Sequence, residues 1–453
     1  MANIGNNLIA QPQPISHISQ TYFTTIITPM NRKFYVTLLG AALAVGAVSC
    51  SDDDDSELIN GGQNEMAGKI ELTSSQLATV SKCNNFGFKL LDAISSSEEF
   101  RNKNIILSPI SANYAFSMLA NAADSETREE IIAGLGYENM SVDELNALNK
   151  KLTGELGGLD GKVSLNFANS VWALPSIEVK DGFKSDLSTY YNADVKKINQ
   201  ATVVADINNW CSKNTNGKIP EFISDNLPNI DAALLNAVYF KGLWSTGYKF
   251  DAKNTATDYF NDVNGTRSQA SFMKQKNAFI YNKTSTMQKC ELSFGNRSFG
   301  IAFILPNEGV TLNQAITNLA NGDWEALSGT ALPESPYNCF GVDLSLPKFK
   351  IETDVVFEQY MSALGMGNVL SPTADYSNMA DGIQFNYMEQ KSIFEIDENG
   401  AEAASVTGGF ELSANEHHPQ MVTMTFDRPF LYVLYERSTG TILFAGCVNS
   451  FAN

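Results

Sequence analysis

The chain contains three histidines, His17, His417 and His418, and that count limits its chemistry at once. A Ser-His-Asp or Cys-His arrangement needs an imidazole, held in a shaped pocket, to take the nucleophile's proton. His17 lies in a segment set apart below. His417 and His418 are adjacent in a polar stretch and read as solvent-exposed. Histidine-based hydrolysis is therefore not expected, and no catalytic residue is assigned. Six cysteines, Cys50, Cys83, Cys211, Cys290, Cys339 and Cys447, match no zinc spacing. No metal and no cofactor is expected. Apart from Cys50 the cysteines read mostly as small buried hydrophobes, as in Phe-Ala-Gly-Cys447-Val.

A different kind of chemistry is suggested by residues 398 to 420. They begin Glu398-Asn399-Gly400-Ala401-Glu402-Ala403-Ala404-Ser405-Val406 and run on through small and polar side chains. Strand-like runs flank them, Ile393 to Ile396 before and Met421 to Phe426 after. In an extended chain Ala401, Ala403 and Ser405 share one face, and Glu402 and Ala404 the other. The first proline after Gly400 is Pro419, so the stretch can pair as a strand.

The surrounding elements mix helix and strand without a βαβ rhythm, which predicts an α+β domain. Leu90, Leu91 and Ile94 place a helix over 74–95. Ser108-Pro109 opens a second, apolar nearly all round and therefore buried. A short helix is expected from Asp354 to Leu364, stopped at Gly365. Two apolar strands joined at Ser438-Thr439-Gly440 form a central hairpin. The 453 residues allow one to about three domains and are 43% hydrophobic, enough for a substantial core. With 31 basic against 50 acidic residues the net charge is −19, which argues against nucleic acid and heparin-like partners.

At the N-terminus, Arg32 and Lys33 precede an apolar run of 15 residues, 34 to 48, too short to span a membrane. It ends Ala47-Val48-Ser49-Cys50, which resembles a lipobox with Ala47 where Leu is usual. Residues 30–49 are thus expected to be a lipoprotein signal, with Cys50 lipidated, and 1–29 an upstream mis-start or disordered. The alternative is a plain secretory signal and an ordinary Cys50. Ser-Asp-Asp-Asp-Asp (51 to 55) opens an acidic tether over 50–68 that reaches roughly 20–25 Å. The acidic run resembles the signal that directs Gram-negative lipoproteins to the outer cell surface. A lipid-anchored, surface-exposed monomer follows, the membrane being met only through the lipid; secretion is the alternative.

Over 69–453 the chain resembles a serpin. The stretches "NIILSPISANYAFSMLANAADSETREEIIAGLG" (104–136), "LLNAVYFKGLWSTGYKF" (234–250, with Asn236 and Trp244), "LPKFKIE" (346–352) and "MTFDRPFLYVL" (424–434) occur in the family's order. The resemblance implies three β-sheets, eight to nine helices and an exposed reactive loop. It makes Glu398, Gly400, Ala401, Ala403, Ala404 and Ser405 the loop's hinge, with Ala401 where a hydroxyl residue is usual and Val406 larger than usual. It implies suicide inhibition, in which a protease cleaves the loop and the loop then enters the largest sheet as a new strand. Small side chains and absence of proline suit that entry, and Ala401 to Ala414 extends roughly 46 Å at about 3.3 Å per residue. The resemblance also implies, by the family's spacing from the hinge acid counted from Glu398, a scissile bond at Ala414–Asn415, within one or two residues. Ala414 suits elastase-like or subtilisin-like enzymes, with Leu412 and Phe410 as secondary baits and papain-like cysteine proteases left open. Ser108, Ser111 and Asn236 match the family's polar cluster under the sheet, and Gln390 stands where a His is usual. The alternative is a non-inhibitory member acting as a carrier or surface binding protein, in which the hinge is usually spoiled by bulky, charged or proline residues.

Overall fold

A computed structural model describes residues 67–224, 231–328, 339–401 and 421–451. Local sequence explains where its helices begin. Thr73 and Gln76 form a capping box that opens α1 (Ser74–Ser96). Ser108 caps α2 (Pro109–Ala122), with proline in its first turn, and every residue of α2 is buried. The helices α3 (Ser125–Gly134), α4 (Val142–Leu156), α5 (Asp181–Tyr191), α6 (Val203–Asn214), α7 (Leu312–Asn318) and α8 (Trp324–Ser328) complete the described set.

The strands are β1 (Ile105–Leu107), β2 (Val163–Ala173), β3 (Asp194–Lys197), β4 (Ala232–Leu243), β5 (Ala256–Asn261), β6 (Arg267–Lys283), β7 (Met287–Phe294), β8 (Phe299–Pro306), β9 (Cys339–Pro347), β10 (Phe349–Val356), β11 (Tyr387–Ile396), β12 (Gly400–Ala401), β13 (Met421–Thr425), β14 (Phe430–Glu436) and β15 (Ile442–Val448). One sheet runs β10-β11-β4-β2-β3, with β12 also paired to β4. The other runs β1-β15-β14-β8-β7-β6-β9-β13, with β5 on β6. The long β6 pairs with β9 over Phe272–Ile280 and with β7 over Ile280–Lys283. It therefore joins two arms, and the molecule presents the three sheet surfaces of the expected α+β fold.

β14 and β15 are buried throughout and lie inside their sheet, as their two-sided apolar sequence implies. The Glu436 carboxylate closes their turn by accepting from the Ser438 and Thr439 amides. The expected helix over 354–364 is not formed. Asp354 to Val356 end β10, because Asp354 and Val355 pair across to Lys391 and Gln390 of β11. Two 3-10 turns follow, Phe357–Gln359 and Ser362–Leu364, and Gly365 stops the second at φ 77°. Sheet pairing outweighed a local helical spacing.

The main core lies around α2, between the sheets. A smaller cluster lies under α6, where Ile207, Trp210 and Cys211 pack on Trp172, Leu235 and Ala237.

Candidate functional site

Within the sheet β10-β11-β4-β2-β3, the contact between β11 and β4 stands apart. It is parallel, from Tyr387↔Ala233 to Ile393↔Tyr239, and shorter than the antiparallel pairings of β2 with β4 and of β10 with β11. Parallel ladders are slightly less stable per residue. Just beyond Ile393↔Tyr239 the two strands part around a small cavity of about 120 Å³, lined in part by Lys218, Lys350 and Glu395.

The chain turns back into this parting. Asp397 Oδ1 accepts from the Asn399 and Gly400 amides at 2.7 and 3.2 Å. β12 then runs antiparallel along β4, with Gly400 opposite Leu243 and Ala401 opposite Gly242. Ala401 is buried, on the face assigned to it by the period of two. Gly400 has φ 141°, and a Cβ there would lie 2.2 Å from the Gly242 carbonyl oxygen, so only glycine fits. Backbone bonds tie the turn down: the Trp244 amide donates to the Asn399 carbonyl at 2.9 Å and the Phe250 amide to the Glu398 carbonyl at 3.1 Å. Trp244, stacked on Phe294 at 4.6 Å, donates its indole N–H to the Asp397 carbonyl.

Glu398 lies 3.2 Å from Lys348 Nζ and accepts from the Thr255 hydroxyl at 2.8 Å. Burial pushes its carboxyl up, but Thr255, its own backbone amide and Lys348 outweigh burial and hold it below the ordinary carboxylate range.

Beneath the seam the structure brings Ser108, Ser111, Asn236 and Gln390 together, all buried. Gln390 and Asn236 are register partners across the seam, and Gln390 Nε2 donates to Asn236 Oδ1 at 3.0 Å. Gln390 Oε1 accepts from the Ser108 amide at 2.9 Å, and its Nε2 also donates to the Ser108 carbonyl at 3.2 Å. The Ser111 hydroxyl donates to Asn236 Oδ1 at 2.7 Å, and the Ser108 hydroxyl to the Leu443 carbonyl at 2.6 Å. The amide of Gln390 thus uses both its donor and its acceptor. Sequence reasoning missed Asn169 of β2, which accepts from Asn236 Nδ2 at 2.6 Å and extends the network to a third strand. Its signal was one amide beside Ser170 within Phe167 to Trp172. Thr255 and Lys348, the partners of Glu398, left no local signal.

Ala403, Ala404, Ser405, Ala414, Asn415 and Cys50 lie outside the described residues. Cys83, Cys211, Cys290 and Cys447 are free and buried. Burial pushes the Cys83, Cys211 and Cys447 thiols up to about 12, which keeps them protonated and inert. The side chain of Cys339 is not among those described.

Comparison with known proteins matches residues 81–451 to the family described as Serpin (serine protease inhibitor). Human neuroserpin is 29% identical over 366 residues, covering 77% of this chain and 86% of its own. The native-state crystal structure of tengpin, a thermophilic serpin, superposes with a TM-score of 0.74 at 27% identity, covering 84% of this chain and 96% of its own. Human thyroxine-binding globulin, solved in complex with thyroxine, superposes at 0.73 with 25% identity over 84% of this chain and 100% of its own.

Proposed function

This chain belongs to the serpin family, and from that premise we propose that it inhibits serine endopeptidases, elastase-like or subtilisin-like, by loop cleavage and strand insertion. Serpins are generally protease inhibitors rather than enzymes, and some, such as thyroxine-binding globulin, are non-inhibitory. The observation that carries the inhibitory reading is β12. Two hinge residues already pair as a strand at the head of the seam, in the antiparallel sense that further entry requires.

In this reading the protease serine attacks the Ala414 carbonyl carbon. The Asn415 amine leaves, and an ester joins Ala414 to the protease. The freed strand then runs down the seam. Continuing the register of Gly400↔Leu243 and Ala401↔Gly242, Glu402 would come opposite Lys241. Thr407 would come opposite Asn236, where its hydroxyl can replace the bond from Gln390 that insertion breaks. Ala403 and Ser405 would face the core at little steric cost.

The test is to mix the protein with pancreatic elastase and look for an SDS-stable covalent complex. Cleavage without a complex, across a panel of serine proteases, overturns the reading.

A second reading, a carrier, is favoured by one observation. A cleft of about 900 Å³ lies against α1, walled by Phe88, Leu319, Trp324 and Tyr435 with Glu291 and Arg437 at its polar side. The Asn85 side-chain oxygen lining it is buried without a hydrogen-bond partner. Such a cleft suits a small amphipathic molecule. Thyroxine is the first probe; no rise in melting temperature with it, together with a covalent elastase complex, rejects this reading. We further propose attachment to the bacterial outer membrane through a lipid on Cys50. No described helix is long and apolar enough to cross a membrane.

A further inference from the structure

β11 has two faces. Met388, Gln390, Ser392 and Phe394 face the core and the polar network. Tyr387, Glu389, Lys391 and Ile393 face the other way, toward α6. Glu389 is only 4% exposed and Lys391 only 7%. Glu389 stands beside Leu235 of β4, and Lys391 beside Ala237. Both β4 residues pack with Ile207, Trp210 and Cys211 of α6, and Tyr387 and Ile393 pack against the same cluster. An acid and a base are therefore enclosed at the seam by the helix above it.

Their partners are unequal. Lys391 Nζ lies 3.2 Å from the carboxylates of both Glu352 and Asp354 of β10. Glu389 instead accepts from the Tyr387 hydroxyl at 2.5 Å. The charged and titratable groups around the pair are Tyr387 on its own strand, Glu352 and Asp354 on β10, Glu358 in the turn after β10, Cys211 on α6 and Glu221 beyond α6. Glu358 bonds the Met388 amide through Oε1, while its Oε2 is buried without a partner. Among these named groups the acids outnumber Lys391.

We propose that Glu389 is a proton-operated latch on the seam between β4 and β11, closed when its carboxyl is protonated and released when it ionises under α6. This goes beyond the inhibitory reading, because opening of the seam can be measured in the intact protein without any protease.

The geometry is supported by the acid's titration. Burial pushes the Glu389 carboxyl up to about 7; Tyr387 and Lys391 pull it down, and Asp354 and Glu358 push it up. In an opened seam water reaches it and its ordinary value of about 4.3 returns. The closed seam thus holds the proton more tightly. Its extra stability is complete below about pH 4.3, is lost as pH rises, and is gone above about 7.

The test is amide hydrogen exchange on the full chain, following Ala232–Tyr239 and Tyr387–Ile393 and corrected for the intrinsic exchange rate at each pH. Seam opening should increase roughly ten-fold between pH 6 and pH 8, levelling off above 7, while β14 and β15 stay constant. Glu389→Gln cannot ionise and should flatten the profile. Tyr387→Phe, which removes the phenol that stabilises the carboxylate, should move the midpoint upward. A flat wild-type profile, or an equal slope in Glu389→Gln, overturns the latch. Failure to trap elastase would instead sink the inhibitory reading and leave the exchange result standing.

Discussion

Gly400 is the residue on which the turn into β12 depends. Its φ of 141° and the Gly242 carbonyl oxygen 2.2 Å from where a Cβ would stand are two separate demands for glycine. Gly400→Ala should destabilise the protein by about 1–3 kcal/mol, read by urea unfolding, and should expel β12. Loss of exchange protection at the Trp244 amide, which the turn holds against the Asn399 carbonyl, would report that expulsion. An alanine variant with wild-type stability and protection would show that the approach of the two backbones is not a constraint. The same residue-level logic applies to Gln390. It makes four hydrogen bonds in a fully enclosed site, with the Ser108 amide and carbonyl, Asn236 and the Ser392 hydroxyl, so Gln390→Leu strands the Ser108 amide and should cost about 1–3 kcal/mol in the same assay.

At the level of elements, the seam between β4 and β11 combines a short parallel ladder, one polar network below it and one helix above it. Opening it must break the Gln390–Asn236 bond and shift the packing of α6. The register of β12 adds a prediction about entry. Glu402 would arrive opposite Lys241, so Glu402→Lys sets like charges against each other as insertion begins. With elastase this variant should give more cleaved inhibitor and less covalent complex than wild type, read as a higher stoichiometry of inhibition. An unchanged stoichiometry would mean that insertion does not continue in the observed register.

For the whole molecule, the proposal of a lipid anchor makes a simple demand. The wild-type protein made in a Gram-negative cell should enter the detergent phase on Triton X-114 partition, and Cys50→Ser should move it to the aqueous phase. Wild type in the aqueous phase would leave plain secretion. Much of the architecture was legible along the chain, because caps and apolar periods are local. The capped start of α2, the buried final hairpin and the α+β mixture all follow from neighbours within a few positions. The expected helix at 354–364 failed for the complementary reason: the strand that claims Asp354 to Val356 is supplied by Lys391 and Glu389, far along the sequence. Composition and spacing alone determined that this chain has three histidines, a proline-free run of small residues after Gly400 and a strongly acidic balance. Only the tertiary structure decided which two strands form the seam, that β12 has already entered it, that Asn169 joins Asn236, and that Glu389 is enclosed beneath α6. Those facts depend on pairing between distant segments, 67 residues apart for Asn169 and Asn236 and more than a hundred for the seam, where register is set by packing in three dimensions and leaves no period in the sequence.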